Sequence, residues 1–213
     1  MLHRDPFLIA PETFKLIIDL QNLMELKEFN LVGGTALALQ IGHRNSIDID
    51  LFCQGEFNNQ QLLELLNNSN FQIDVKLNVK NSIIGFINGI KVDFIRHNFP
   101  IIRPVVLEEG IRMLSIEDIA AMKLHAITNS GKRLKDFIDI YFLLEQYCLD
   151  DLIDFYTAKY PNYNPMIALR AVSYFGDIDL EIDPPKLLKP LSFEEVTSRI
   201  REAVLNSQKT FRG

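Results

Sequence analysis

Between Leu31 and Phe52 the chain reads LVGGTALALQIGHRNSIDIDLF, and no other stretch limits its possible folds so closely. Asn30 to Val32 is predicted as a short strand that enters a Gly33-Gly34 turn. Thr35 to Ile41 then reads as a short helix. Ser46 to Phe52 alternates polar and apolar residues, which is the period of a strand. Residues two apart in a strand point to the same side, so Asp48 and Asp50 are expected to project together while Ile47, Ile49 and Leu51 face away. Two neighbouring carboxylates repel one another. A divalent cation removes that cost, and hard ions such as Mg²⁺ favour carboxylate oxygens and keep positions open for water and phosphate. Taken alone, an Asp-x-Asp strand is explained more simply by an edge strand with one solvated face.

Composition narrows the class. The 213 residues suffice for one large domain or two small ones, with a sizeable core. A hydrophobic share of 47% and a charged share of 23% suit a globular protein. A net charge of −6 argues against wholesale coating of nucleic acid and leaves room for a local basic patch. Cys53 and Cys148 are the two cysteines, too few for a zinc-finger set, and no disulfide framework is evident. Charges and prolines interrupt the N-terminal apolar residues, and no run of about twenty apolar residues occurs. The expectation is a cytoplasmic protein with no membrane partner.

Elsewhere, residues 11 to 29 are predicted as a helix with Pro11 at its start. Asn58 to Asn68 is a second helix with its leucines on one face. Phe71 to Val79, Ser82 to Ile87 and Ile90 to Arg96 read as strands, the last two joined through Asn88-Gly89, a strong hairpin signal. Arg103 to Leu114 is a connector with an edge strand. Helices are predicted over Ser115 to Asn129, with Ser115 as N-cap, over Asp136 to Tyr147, near 150–159 and 164–174, and over Phe193 to Asn206. The acidic, proline-bearing stretch from Gly176 to Pro190 reads as a solvated linker, its Asp177 to Asp183 run included. The fold class is therefore α+β: a mixed sheet with flanking helices over 1–110, followed by a helical half over 111–213.

The Gly-Gly turn changes the weight of the Asp-x-Asp pair. Glycines let backbone approach a phosphate closely, a helix start offers free N–H groups, and Thr35 adds a hydroxyl. Asp93, between Val92 and Phe94 in an apolar strand, needs a partner or a function. It shares its strand face with Lys91 and Ile95, so a solvated face remains open for it. Asp74, with Gln72 and Lys76, is explained by solvation.

These residues carry a resemblance. GGTALALQIGHRNSIDIDLF, with IEDIAAMKLHAITNSGKRLKDFIDIYFLL further on, resembles the AbiEii/AbiGii toxin family of the nucleotidyltransferase fold shared with polymerase β. The resemblance implies a small mixed sheet with flanking helices and a helical half completing the nucleotide site. It implies a phosphate loop at Gly33, Gly34 and Thr35, and a metal pair at Asp48 and Asp50, holding two Mg²⁺ or Mn²⁺ ions. Arg44 and Ser46 match the HRxSxDID context, Arg44 to hold a phosphate or brace Asp48. Lys123 matches the helical lysine expected at the nucleotide phosphates, and Asp136 and Asp139 match the Lys-Asp-x-x-Asp element. Asp93 fits the third acid of the wider superfamily, which would join Asp48 and Asp50 as a metal ligand or act as the base.

Without the resemblance, Lys123 in its apolar helix is expected to snorkel to solvent, Asp136 to offset a helix dipole and Asp139 to pair with Lys123 or Arg44. Lys132, Arg133 and Lys135 form the dense basic run, read as a solvated loop or as an RNA or triphosphate contact. Cys53 is expected to pack rather than react, and His43, His97 and His125 lack ligand spacing. The implied activity is metal-dependent transfer of a nucleotide from a nucleoside triphosphate to RNA, tRNA among the candidates, or to a protein, by a toxin with a cognate antitoxin. The competing readings are a catalytically silent nucleotide-binding regulatory module and, less well supported, an Asp-x-Asp glycosyltransferase.

Overall fold

The computed structural model describes residues 1–182 and 184–211, and Asp183 of the acidic run lies outside them. The described residues form two compact units: residues 1–99 with 104–114, and residues 100–103 with the rest from 115 onward.

The first unit holds a seven-stranded sheet in the order β3-β4-β5-β2-β1-β7-β6. The strands are β1 (Asn30–Val32), β2 (Ile49–Cys53), β3 (Ile73–Val79), β4 (Ser82–Ile87), β5 (Ile90–Arg96), β6 (Val106–Glu108) and β7 (Ile111–Met113). β2 runs parallel to β5 and β1 parallel to β7, while the remaining pairs are antiparallel, so the sheet is mixed. The β4–β5 hairpin turns at Asn88 and Gly89, both at positive φ (52° and 79°), the backbone a tight two-residue hairpin requires. Helices α1 (Pro11–Gln21), α2 (Gly33–Ile41) and α3 (Asn59–Asn68) pack on β7, on β1 and β2, and on β3. Ile49, Leu51, Val92 and Phe94 are fully buried, and they share the face that carries the apolar core of β2 and β5.

Several boundaries differ from the sequence reading. The first helix ends at Gln21 rather than near residue 29, and a single 3₁₀ turn, Met24–Leu26, follows it. The cause lies in β7. The Gln21 amide donates to Arg112 O at 2.9 Å and accepts from Arg112 N at 2.7 Å. The Arg112 guanidinium then takes the carbonyls of Gln21 and Leu26. Those contacts satisfy carbonyls a helix end leaves open, so the helix stops where the strand meets it. The connector after Pro104 is a hairpin of two short strands, of which β6 is the sheet edge.

The second unit is helical: α4 (Ile116–Asn129), α5 (Leu134–Leu143), α6 (Leu149–Lys159), α7 (Pro165–Val172) and α8 (Phe193–Leu205). α5 starts two residues before Asp136 and ends four before Tyr147. α4 packs on α5, α6 and α7, and α8 packs on α5. Ser115 caps α4 as expected, accepting from Asp118 N. Asp118 then does more than its position in a helix's first turn suggests. Its carboxylate accepts from Ser115 Oγ (2.9 Å), Ile102 N (3.1 Å), Arg103 N (3.2 Å) and Lys159 Nζ (2.7 Å). Lys159 also donates to Pro100 O. Both charges are fully buried, and together they clamp residues 100–103 onto the helices.

Removing one member of such a pair leaves the other charge buried and uncompensated, at a cost of about 3–5 kcal/mol. Asp118→Ala and Lys159→Met are each expected to lower urea-unfolding stability by that amount. The double variant should lose clearly less than the sum.

Candidate active site

The proposed site residues of the first unit lie on three adjacent segments. α2 begins at Gly33 itself, so the glycines form the first turn of the helix rather than a loop before it. Gly33 sits at φ +70°, and a Cβ there would collide with Asp50 Oδ2. A Cβ on Gly34 would lie 2.5 Å from Arg44 Nη2 and 3.0 Å from Ser46 Oγ. Glycine is therefore required twice, once for backbone conformation and both times for room. The turn packs directly on one of the acids it was expected to serve.

Thr35 is fully buried. Its hydroxyl lies 2.9 Å from Ser46 Oγ and donates to the carbonyl of Asp48. It fastens the helix start to the segment leading into β2. Arg44 is 2% exposed, donates from Nη1 to Asn45 O at 2.8 Å and lays Nη2 against Gly34. This guanidinium braces the turn from beneath.

The Asp-x-Asp pair departs from the simple strand picture. β2 starts at Ile49, so Asp50 lies in the strand and Asp48 in the residue before it. Ile49 and Leu51 are buried as expected, whereas Ile47 is 60% exposed, because it precedes the regular alternation. Asp93 stands opposite Asp50 in the parallel β2–β5 register, on the strand expected to deliver it. It is 6% exposed, and its Oδ1 has no hydrogen-bond partner in the structure.

Lys91 was not singled out from the sequence, although its position two residues before Asp93 fixes it on the same strand face. Its Nζ lies 2.7 Å from Asp93 Oδ2. Burial pulls the lysine pKa down. The hydrogen bond to Asp93 and the charges of Asp93, Asp50 and Asp48 outweigh it, and the net direction is upward. Three carboxylates thus act on one ammonium.

The resemblance implies a divalent metal here. The charges of Asp93, Asp50 and Asp48 that act on Lys91 would suit a divalent cation as well, while among the described residues no group of three or more His, Cys, Asp or Glu side chains converges closely enough to share one. Asp93 is engaged by Lys91, which leaves Asp48 and Asp50 as the candidates to hold an ion.

The second block forms a separate cluster within the helical unit. Lys123 is 6% exposed, and its Nζ pairs with Asp136 Oδ1 at 3.0 Å and Asp139 Oδ2 at 2.7 Å. Arg133 also pairs with Asp136, at 2.8 Å. The snorkelling expected of Lys123 without the resemblance is overturned, because two buried carboxylates draw the ammonium inward. The basic run is likewise not a purely solvated loop, since Arg133 is held by Asp136.

The sequence pattern described as "Nucleotidyl transferase AbiEii toxin, Type IV TA system" matches residues 24–210. The chain belongs to the AbiEii family. Its relatives include an uncharacterized protein of Aquifex aeolicus (strain VF5), aq_aa25, 30% identical over 164 residues, which span 73% of this chain and 77% of that one. An H. pylori structure provisionally assigned as a nucleotidyltransferase aligns over 91% of this chain and 90% of its own, with a TM-score of 0.56 and 23% identity. JHP933 from Helicobacter pylori aligns over 91% and 87%, with a TM-score of 0.55 and 19% identity. With the family match, the first of these likenesses establishes the nucleotidyltransferase fold for this AbiEii-family protein.

Cys53 and Cys148 are free cysteines. Burial pushes the Cys53 thiol up to about 11, consistent with packing and not with a nucleophile. Native protein at pH 8 is expected to leave Cys53 unmodified by iodoacetamide, with alkylation appearing on unfolding in guanidinium, as read by mass spectrometry. Gly33→Ala carries both a left-handed backbone penalty of about 1–2 kcal/mol and a collision with Asp50. It is expected to lower the melting temperature.

Proposed function

We propose that this AbiEii-family protein transfers a nucleotidyl group from a nucleoside triphosphate to a hydroxyl of an RNA, tRNA being the leading candidate. The observation carrying this reading is the contact of the Gly33 turn with the carboxylate of Asp50, itself in register with Asp93. Phosphate-binding backbone and acids then belong to one site.

The acceptor oxygen bonds to the α-phosphorus, the α–β bridging P–O bond breaks, and pyrophosphate leaves. The acceptor proton passes to a carboxylate, for which Asp93 Oδ1 is suited as a buried lone pair without a donor. The backbone N–H groups of Gly33 and Gly34 at the start of α2 hold phosphate oxygens, as helix starts do. Thr35, Arg44 and Ser46 keep that turn in place. Asp48 and Asp50 would hold Mg²⁺ or Mn²⁺, which supplies Lewis-acid stabilisation of the phosphoryl oxygens and lowers the pKa of the acceptor hydroxyl. Within the helical unit, the Lys123, Asp136 and Asp139 cluster ties α4 to α5. No covalent protein nucleophile is needed, since the chemistry is positioning and charge neutralisation. The biological role is that of a toxin restrained by a cognate antitoxin. No helix among the described residues is long and apolar enough to cross a membrane, and a cytoplasmic site of action suits these substrates.

The test is a screen of each α-labelled triphosphate with total RNA and Mg²⁺. Wild-type protein is expected to label RNA. Asp48→Asn and Asp50→Asn should each reduce labelling at least about a thousandfold while keeping the native melting curve. Label in protein instead would reassign the acceptor. A cellular effect that persists in both variants would favour the silent binding module.

A further inference from the structure

A third carboxylate joins a metal site with Asp48 and Asp50 only where its oxygens are available to the ion. Asp93 is positioned for that by the β2–β5 register, yet its carboxylate is engaged by Lys91. The pair is enclosed, with side-chain exposures of 35% for the lysine and 9% for the aspartate. Asp93 Oδ1 already lacks a donor, so withdrawing Lys91 would leave the whole carboxylate buried and unpaired, which is costly. The same ammonium lies within the field of Asp48 and Asp50. Among the described residues, no three acids converge as a ligand set. A fixed positive charge thus stands among the three acids.

We propose that Lys91 is a resident cation of the site, holding Asp93 in place of a second divalent ion, so that the chain binds one ion, at Asp48 and Asp50. The inference rests on reading those acids as a nucleotidyl-transfer site and narrows its metal requirement. Lys91 is a positioning residue: it fixes Asp93 through Oδ2 and leaves Oδ1 to accept a proton.

The experiment counts Mn²⁺ bound to the full chain without nucleotide, by electron paramagnetic resonance of the free ion. Wild-type protein should bind one Mn²⁺. Asp93→Asn should still bind one, because Asp93 is not a ligand. Lys91→Gln keeps a donor for Asp93 but removes the charge, and it should bind the ion at least about tenfold more tightly. Lys91→Arg should match wild type. Lys91→Asn, which likewise removes the charge and carries an amide donor, serves the same purpose should Lys91→Gln not fold. Two ions in wild type with one lost in Asp93→Asn, or unchanged affinity in the charge-removing variants, overturns the proposal. No Mn²⁺ in wild type overturns it together with the metal pair. One ion with the expected variant pattern but no nucleotide transfer leaves Lys91 as assigned and removes the transferase reading.

Discussion

The parallel pairing of β2 with β5 sets the terms for everything around it. It places Asp50 and Asp93 opposite one another on adjacent strands, where like charges repel. The other face of the same strands is filled by Ile49, Leu51, Val92 and Phe94, so a one-residue slip would send the acids into the core. The register is therefore held by hydrophobic burial, and the charge cost it creates is offset locally by Lys91. On the opposite flank, β1 pairs with β2 and delivers the chain into the Gly33 turn, which lies against Asp50. A side chain at Gly33 could not coexist with this arrangement.

Much of this was legible in the sequence. The alternation of Ile49 and Leu51 with Asp50, the Asn88-Gly89 hairpin and the Ser115 cap are local signals, and each element is found where they place it. The Gly-Gly-Thr motif marked the helix start but not its use. Thr35 points to phosphate in a linear reading, whereas in the fold its hydroxyl fastens the Asp48 backbone. What the sequence hid were pairings between distant residues. Nothing local joins Asp118 to Lys159, or ends α1 through Arg112, because those partners are set by tertiary contact. Lys91 is the intermediate case. Its face was readable from strand period, but a lysine beside an aspartate also reads as a solvated surface, and only the 6% exposure of Asp93 removes that reading.

The helical unit repeats the theme of buried charge held by buried charge. Lys159 with Asp118 and Lys123 with Asp136 and Asp139 are two such networks, each enclosed by apolar helices. Buried ion pairs contribute little net stability but resist alternatives strongly, since breaking one strands a charge. The first holds residues 100–103 against α4 and α6. The second joins α4 to α5 through residues that the family pattern also marks.

The claim at the centre is that the acids of β2 and β5 direct attack at the α-phosphorus. Parallel incubations with α-labelled and γ-labelled forms of the accepted triphosphate test it most directly. The account predicts that the α label enters the acceptor and the γ label appears in pyrophosphate. Transfer of the γ label to the acceptor, or release of γ-labelled orthophosphate without α transfer, would contradict it.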